Sequence, residues 1–217
     1  VEWSLKKMEW DNLFNYGENN TINFEKLNGV VGVFGKNYSG KSSVIDSALY
    51  TIYNSISKNN RKNLNIINQN KQAGCGRVEI DIDGKAYIIE RKSEKYKKKL
   101  HGEETDEAKT DVEFSMIDPA TGEETSLNSL DRNGTDKEIR KIFGTIDDFL
   151  LTSMSSQMGA MTFINEGSTK RKEILAKFLD LDQFEKKFRA SKNDSIETRA
   201  LLKKLEDNNF DEDITQL

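Results

Sequence analysis

Residues 35–42 read GKNYSGKS and fit the phosphate-binding pattern G-x-x-x-x-G-K-S/T. The apolar run at residues 30–34, VVGVF, precedes this segment and predicts a buried strand. Residues 43–56 follow with apolar side chains at helical spacing, which predicts a helix. A strand, a glycine-bearing loop and a helix N-terminus form an anion site, because backbone N–H groups and the positive helix end point to one place. The segment therefore predicts a site for the phosphates of a nucleoside triphosphate.

The residues of this loop are expected to take separate roles. Gly35 and Gly40 allow the backbone to turn tightly around a phosphate. Lys41 would reach the β- and γ-phosphates, and the Ser42 hydroxyl would complete a Mg²⁺ shell, so the predicted cofactors are ATP and Mg²⁺. The alternative is an ordinary glycine-rich turn, which the flanking patterns disfavour. The nucleotide-binding candidates in this segment are Gly35, Lys36, Asn37, Tyr38, Ser39, Gly40, Lys41, Ser42 and Ser43.

Composition limits the class of protein. With 35% hydrophobic and 32% charged residues among 217, we expect a modest core beside a long exposed element. No apolar run approaches the roughly 20 residues that span a bilayer, so no membrane partner is expected. The single cysteine, Cys75, allows no intrachain disulfide and predicts a cytoplasmic or nucleoid-associated protein. The net charge of −4 argues against a protein that coats nucleic acid uniformly, but it leaves room for a local basic patch.

Several segments have the composition of strands. A turn signal, Asp83-Gly84, joins two of them, because both of its residues tolerate positive φ. The highly charged stretch at residues 93–110 predicts an exposed loop or a flexible hairpin tip. The strands are expected at residues 4–10, 21–24, 77–83, 86–91 and 112–117.

Helices are expected in the rest of the chain. Thr135 and Glu138 have capping-box spacing with Gly144 at the C′ position, and Thr145 and Asp148 begin a further helix. Two more helices are expected at residues 170–179 and from Asp182 onward. In the last one the spacing alternates between three and four, as in a coiled coil, and a single amphipathic helix lying on the domain is the alternative. The positions with this spacing are Leu181, Phe184, Phe188, Ser191, Ser195, Thr198, Leu202 and Leu205.

The order of these pieces resembles the N-terminal half of an ATP-binding-cassette head in the SMC-like DNA-repair ATPases of the SbcC and Rad50 family. The resemblance is carried by residues 6–17 (KKMEWDNLFNYG), the phosphate loop, the antiparallel hairpin layer, Gln157 in a loop just before Phe163, and residues 171–185 (RKEILAKFLDLDQFE). It implies an α/β fold: a P-loop NTPase half-head of the ABC type, with an antiparallel β layer and a C-terminal helix that begins a coiled coil. The ATP-binding lobe would span residues 1–180, and the coiled-coil helix would begin within residues 181–217.

The resemblance also implies roles for individual residues. Gln157 would sense magnesium and the γ-phosphate or the attacking water, so the catalytic candidates are Lys41 and Gln157 and the metal candidates are Ser42 and Gln157. Judged by its surroundings alone, Gln157 is a solvated loop residue. A loop near the N-terminus would approach the nucleotide, and the alternative there is an ordinary bend between strands. Its candidates are Asn12, Phe14 and Asn15.

Some parts of a complete catalytic site do not occur in the sequence. There is no apolar strand ending in Asp-Glu and no Leu-Ser-Gly-Gly-type signature, and the only histidine, His101, lies in the charged insertion. Phosphoryl transfer requires a carboxylate that holds the metal and polarises water. In the resembled family these parts follow a long coiled coil. We therefore expect half of a catalytic site here and ATP hydrolysis only in the complete protein.

The resemblance implies a Mg-ATP-binding lobe of a DNA double-strand-break repair ATPase. Binding of ATP would bring it together with a second copy of the head, and this dimerisation would gate an SbcD-type nuclease or tether DNA. One alternative is a self-sufficient P-loop NTPase or kinase that uses Asp81 or Asp83. The other is a non-catalytic module for DNA binding or head assembly.

One basic run is a candidate contact to a DNA backbone. It consists of Arg91, Lys92, Lys95, Lys97, Lys98 and Lys99, with Tyr96 among them. The alternative is a solvated loop tip, because the nearby acidic residues Glu103, Glu104, Asp106 and Glu107 offset the charge. Arg61 and Lys62 are weaker candidates.

Overall fold

The computed structural model describes residues 3–57, 63–100, 103–154, 164, 166–179 and 181–206. The chain divides into two compact units, Val1–Leu150 and Leu151–Leu217. The predicted division at residue 181 concerns the start of a coiled coil and stays a prediction. None of the helices in these described ranges is long and apolar enough to cross a membrane.

The first unit is built on a six-stranded sheet in the order β2-β1-β3-β4-β5-β6, with every neighbouring pair antiparallel. The predicted antiparallel β layer and the mixed α/β class are therefore confirmed. The strands are β1 (Ser4–Asp11), β2 (Asn20–Asn23), β3 (Ala73–Ile82), β4 (Lys85–Leu100), β5 (Glu103–Ile117) and β6 (Glu124–Ser126).

The turn between β3 and β4 has the conformation that its sequence predicts. Asp83 and Gly84 have φ values of 52° and 79°, and Ile82 pairs with Lys85 across the turn. Positive φ at both central residues matches the twist of the flanking strands. The short-range signal was sufficient here because the turn depends only on its own backbone.

Helices α1 (Lys41–Tyr53) and α2 (Arg132–Phe143) cover one face of the sheet. The core there contains the aliphatic residues Val78, Ile80 and Ile89 of the strands. Aromatic rings close the side near α2, where Phe143 makes edge contacts with Tyr87 and Phe114 at centroid distances of 6.2 Å. On α1 the residues Leu49, Tyr50 and Ile52 are buried as well, so this face of the helix packs against the sheet.

The described parts of the charged stretch, residues 93–100 and 103–110, are paired strands and not a loop. Strands β4 and β5 continue through it, with pairs from Lys95↔Ala108 to Leu100↔Glu103, whereas β3 pairs only as far as Glu94. Residues 95–100 and 103–108 thus form a two-stranded β-arm beyond the sheet. Opposite charges face each other across this arm, and such cross-strand pairs stabilise a ribbon that has no apolar face. The loop alternative is therefore wrong and the hairpin alternative describes this stretch, whose strands carry no hydrophobic alternation that would have identified them in the sequence.

The predicted buried strand at residues 30–34 is also wrong for this unit. These residues have no regular secondary structure, and Val30 and Phe34 are 103% and 93% exposed. A strand needs a neighbour that pairs with its backbone groups. The sheet orders its six strands without this segment, so its apolar side chains face solvent.

The helix caps were predicted in part. Helix α2 has Asp131 as its N-cap, whose carboxylate accepts a hydrogen bond from Gly134 N, so the proposed capping box at Thr135 is wrong. Gly144 ends this helix with a φ of 76°, as predicted. Helix α3 (Ile146–Thr152) begins with the predicted box, since Thr145 N donates to Asp148 Oδ2 and Asp148 N donates to Thr145 Oγ1.

The second unit contains helices α4 (Ser168–Phe178) and α5 (Asp182–Glu206). Both helices were predicted from the sequence at nearly these bounds. On α5 the apolar heptad positions remain exposed, with Phe184 at 61% and Phe188 at 63%. The coiled-coil interpretation of this stripe stays a prediction.

Candidate phosphate-binding site

The phosphate loop, residues 35–42, runs directly into the N-terminus of α1. Gly40 is the N-cap of this helix and has a φ of 91°, a conformation that favours glycine. At Gly35 a side chain would place its Cβ 2.8 Å from Ser39 Oγ, so the Ser39 side chain would have to move. The loop–helix junction predicted from the pattern is therefore present. Tyr38, at the tip of the loop, also has positive φ, at 64°.

The ammonium group of Lys41 lies over the carbonyl groups of its own loop. Its Nζ donates to Gly35 O at 2.8 Å and to Lys36 O at 2.6 Å. Hydrogen bonds to phosphate oxygens are stronger than those to neutral carbonyls, so a phosphate can compete for the same donors. The position of Lys41 fits its predicted role towards the β- and γ-phosphates.

The other predicted loop residues are accessible to a ligand. Lys36, Asn37, Ser39 and Ser42 are exposed, and Ser43 begins the helical hydrogen bonding by donating its N–H to Gly40 O at 2.9 Å. Three or more His, Cys, Asp or Glu side chains do not come together as a metal site anywhere in the described ranges. The exposed Ser42 hydroxyl remains the predicted magnesium ligand in this loop.

The N-terminal loop, residues 12–17, lies against the phosphate loop. Asn15 Nδ2 donates to Tyr38 O at 3.4 Å, so one of the three predicted residues in this loop contacts the phosphate loop. Asn12 and Phe14 have positive φ, at 53° each, and serve the loop through their backbones. Asn12 N donates to Gly17 O at 2.8 Å, and Phe14 N donates to Ile66 O at 2.7 Å. Direct contact of these residues with a nucleotide stays a prediction.

Tyr16 belongs to the same loop and was assigned no role from the sequence. Its hydroxyl donates to Gly40 O at 3.0 Å, and its ring packs edge-on against Trp10 with centroids 5.3 Å apart. Burial raises the pKa of the Tyr16 phenol, so the hydroxyl stays protonated and remains a donor near neutral pH. The sequence carried no signal for this contact, because it joins residues that are 24 positions apart.

The described part of the polar connector between α1 and β3, residues 63–72, contacts the N-terminal loop. Ile66 and Ile67 of this connector are buried, and Ile67 forms a bridge with Leu13. Asn68 N donates to Asn12 O at 2.8 Å, and Asn68 Nδ2 donates to the Tyr16 carbonyl at 3.0 Å. The described connector residues therefore help to hold the N-terminal loop that contacts the phosphate loop.

Arg91 anchors the far end of α1 and cannot contact DNA. Its side chain is fully buried, and its Nε donates to Thr51 O at 2.9 Å while Nη2 donates to Ile52 O at 3.3 Å. These carbonyls belong to the last turn of α1, where a cation is favourable to the helix dipole. The assignment of Arg91 to a DNA-contacting run is therefore wrong.

The lysines of the same run are paired with acidic or carbonyl groups. Lys97 lies 3.4 Å from Glu104, Lys98 lies 3.3 Å from Glu107, and Lys92 lies 2.6 Å from Glu94. Lys95 Nζ donates to the carbonyls of Asn68 and Gln69. The alternative interpretation, that nearby acids offset this charge, therefore describes the β-arm better than a DNA contact does.

Some predicted residues cannot be placed. Gln157, His101, Arg61 and Lys62 lie outside the described residues, so their predicted roles stay predictions. Cys75 is a free, half-buried thiol whose pKa is raised by burial.

Known proteins match this chain in family and in sequence. The family described as "AAA domain" matches residues 7–217. An uncharacterized protein of Acanthamoeba polyphaga mimivirus is 31% identical over 210 residues, which cover 94% of this chain and 15% of that protein. The SbcC component of the nuclease SbcCD of Clostridium acetobutylicum is 27% identical over 169 residues, covering 75% of this chain and 14% of the relative.

A Rad50 ATPase and a RecF structure also match this chain. "DNA double-strand break repair Rad50 ATPase" of Methanocaldococcus jannaschii is 25% identical over 183 residues, covering 84% of this chain and 16% of the relative. Among solved structures, the recombination mediator protein RecF with ATP gives a TM-score of 0.44 at 18% identity, over 97% of this chain and 48% of that one. The chain thus spans only a small part of the curated relatives, 14% to 16% of their length in these three matches.

Proposed function

Because this chain belongs to the AAA domain family, as an SMC-like ABC-type ATPase head of the SbcC and Rad50 kind, we propose that it is the Mg-ATP-binding N-terminal lobe of such a head. The observation that carries the proposal is the accessible phosphate loop at the N-terminus of α1, with Lys41 Nζ over its carbonyls. A loop of this kind combines backbone donors, a helix dipole and a lysine in one place.

Each part of the loop has a task towards the nucleotide. Lys41 exchanges its bonds to the Gly35 and Lys36 carbonyls for bonds to phosphate oxygens, and the exposed Ser42 hydroxyl is available to magnesium. When bound, magnesium neutralises phosphate charge. Gln157 is proposed to sense the metal and the γ-phosphate. The N-terminal loop, through Asn15, borders the same site.

The exposed segment at residues 30–34 supports the proposal of a half-site. Its valine and phenylalanine side chains face solvent, although the sequence pattern is that of a buried strand. We propose that strands of a C-terminal lobe pair with this segment and supply the apolar strand ending in Asp-Glu that does not occur in this sequence. Hydrolysis of ATP would then belong to the complete protein.

The proposed role of ATP in the complete protein is to close two heads onto each other. ATP that binds best in the closed dimer shifts the population towards closure, and hydrolysis reverses the shift. In this proposal closure tethers DNA or gates an SbcD-type nuclease. The exposed heptad stripe of α5 is proposed to begin the coiled coil that joins the two lobes, since its apolar positions need a partner helix.

The structure offers little support for a self-sufficient NTPase. Its candidate bases, Asp81 and Asp83, lie at the β3–β4 turn, and Asp81 pairs with Ser4 at the start of β1. The N-terminal loop that touches the phosphate loop follows the opposite end of β1, which an eight-residue strand places about 20–25 Å away. Both carboxylates are thus at the wrong end of the sheet.

The test is ATP binding and turnover by the 217-residue chain, with Lys41→Ala and a matched control, Lys85→Ala, at the β3–β4 turn. We expect Mg-dependent ATP binding by the wild type and the control, at least tenfold weaker binding by Lys41→Ala, and no turnover by any of them. Absence of ATP binding, or equal binding by Lys41→Ala, would contradict the ATP site. Turnover that Lys41→Ala abolishes would contradict the half-site.

A further inference from the structure

We infer that Tyr16 is a positioning residue for the nucleotide phosphates, acting through the peptide that joins Gly40 to Lys41; the inference rests on the ATP site proposed above. The Tyr16 hydroxyl lies 3.0 Å from the Gly40 carbonyl oxygen and donates to it. The two loops also touch through the ring, since a Cβ on Gly40 would lie 3.3 Å from Tyr16 Cε2. Tyr16 therefore contacts the phosphate loop at the residue that caps α1.

The orientation of one carbonyl decides the orientation of one donor. The peptide bond between Gly40 and Lys41 is trans, as are all those described, so the Gly40 C=O and the Lys41 N–H point in opposite directions. Tyr16 lies on the core side of the loop, packed on the buried Trp10 ring. A carbonyl held towards the Tyr16 hydroxyl thus turns the Lys41 N–H away from that hydroxyl. Backbone N–H groups at this position of a helix N-terminus are the ones that bind anions.

Two donors share the Gly40 carbonyl. Ser43 N donates to it at 2.9 Å as part of the first helical turn, and Tyr16 supplies the second bond from outside the helix. With the hydroxyl removed, only the local bond of the helix would hold this peptide. Because Gly40 has no side chain, its backbone has more freedom to rotate than that of any other residue type. The hydrogen bond from Tyr16 therefore restricts the rotation of a peptide that glycine alone would leave free to move.

Tyr16 is itself fixed from the connector side. Asn68 Nδ2 donates to the Tyr16 carbonyl at 3.0 Å, and Tyr16 N donates to Leu13 O at 3.0 Å. The connector, the N-terminal loop and the phosphate loop are therefore linked by consecutive hydrogen bonds. A donor held in place before the ligand arrives lowers the entropic cost of binding.

The experiment compares Tyr16→Phe with Tyr50→Phe in the 217-residue chain. Tyr50 is a residue of α1 near the end of the helix that lies away from the phosphate loop. Its hydroxyl is hydrogen bonded to Ser93. Affinities for ATP and ADP are measured by titration, and unfolding by urea. We expect Tyr16→Phe to lower the affinity for both nucleotides by about three- to tenfold, which corresponds to the loss of one hydrogen bond. Tyr50→Phe should lower the free energy of unfolding without changing either affinity.

Each outcome has one meaning. The positioning role would be overturned if Tyr16→Phe lost no more binding free energy than unfolding free energy. It would also be overturned if Tyr16→Phe and Tyr50→Phe lost the same affinity and the same stability. Unchanged affinity in Tyr16→Phe together with lost binding in Lys41→Ala would overturn it too, while the ATP site stands. If the wild type binds no ATP, the proposed function fails, and this inference fails with it.

Discussion

Arg91 and Asp136 form an ion pair inside the protein, with Nη2 2.7 Å from Oδ1 and with side chains that are 0% and 9% exposed. The pair joins β4 to α2, and the same guanidinium bonds the last carbonyls of α1. Desolvation lowers the pKa of Arg91, and the adjacent Asp136 carboxylate opposes that shift. The helix that begins at the phosphate loop is therefore anchored at its other end by a buried charge.

We predict that breaking this pair is costly. Arg91→Met leaves the Asp136 carboxylate buried without a partner, and the expected loss is about 3–5 kcal/mol of unfolding free energy. The double variant Arg91→Met/Asp136→Leu should lose less than the sum of the single ones, because no unpaired charge remains. Urea unfolding measures all three.

The exposed pair of Arg77 and Glu90, 44% and 43% exposed at 3.1 Å, is the matched control. Breaking it should cost no more than about 1 kcal/mol, because solvent screens both charges. Equal small losses for both pairs would show that Arg91 does not anchor the fold.

A second prediction concerns stability at alkaline pH. Burial raises the pKa of Tyr50 from 10.0 to about 12. Below pH 10 the phenol is protonated in both the folded and the unfolded state, so it does not change how the free energy of unfolding depends on pH. Between pH 10 and 12 the unfolded chain loses this proton and the folded chain keeps it, so stability falls as the pH rises, by about 2–3 kcal/mol in all.

The measurement is the unfolding free energy of wild type and Tyr50→Phe from pH 8 to pH 11.5. The difference between them should be constant at the lower pH values and should shrink above pH 10. A difference that stays constant throughout would show that Tyr50 ionises alike in both states.

A third prediction tests the exposed segment at residues 30–34. Phe34→Asp should leave the urea midpoint of the 217-residue chain unchanged and lower its binding of an apolar dye, because the ring is 93% exposed. Phe114→Ala is the comparison, since that ring is 1% exposed and its removal should cost about 3–5 kcal/mol. A marked loss of stability in Phe34→Asp would mean that the segment is buried after all.

Features that depend on a few consecutive residues could be predicted from the sequence. The phosphate loop, the Asp83-Gly84 turn and the Thr145–Asp148 capping box each have the predicted backbone. In each, short-range sterics and local hydrogen bonds select the conformation. At Thr135 the local signal misled, because Asp131 offered a competing cap four residues earlier.

Features that depend on distant partners could not be predicted. A basic run looks continuous in sequence, but strand alternation turns Arg91 into the core and leaves Lys92 exposed. Charged residues 95–100 and 103–108 form a regular ribbon because their partners lie across it. Residues 30–34 form no strand because none of the described strands pairs with them.

The sequence by itself determined the junction of a glycine-bearing loop with a helix, since glycines, a lysine and a helix start specify that geometry locally. Only the tertiary structure decided what holds the loop. It brings Tyr16 to Gly40 from 24 residues away and Arg91 to Thr51 from 40 residues away. Such contacts depend on how strands and helices pack, and packing is decided by the whole chain at once.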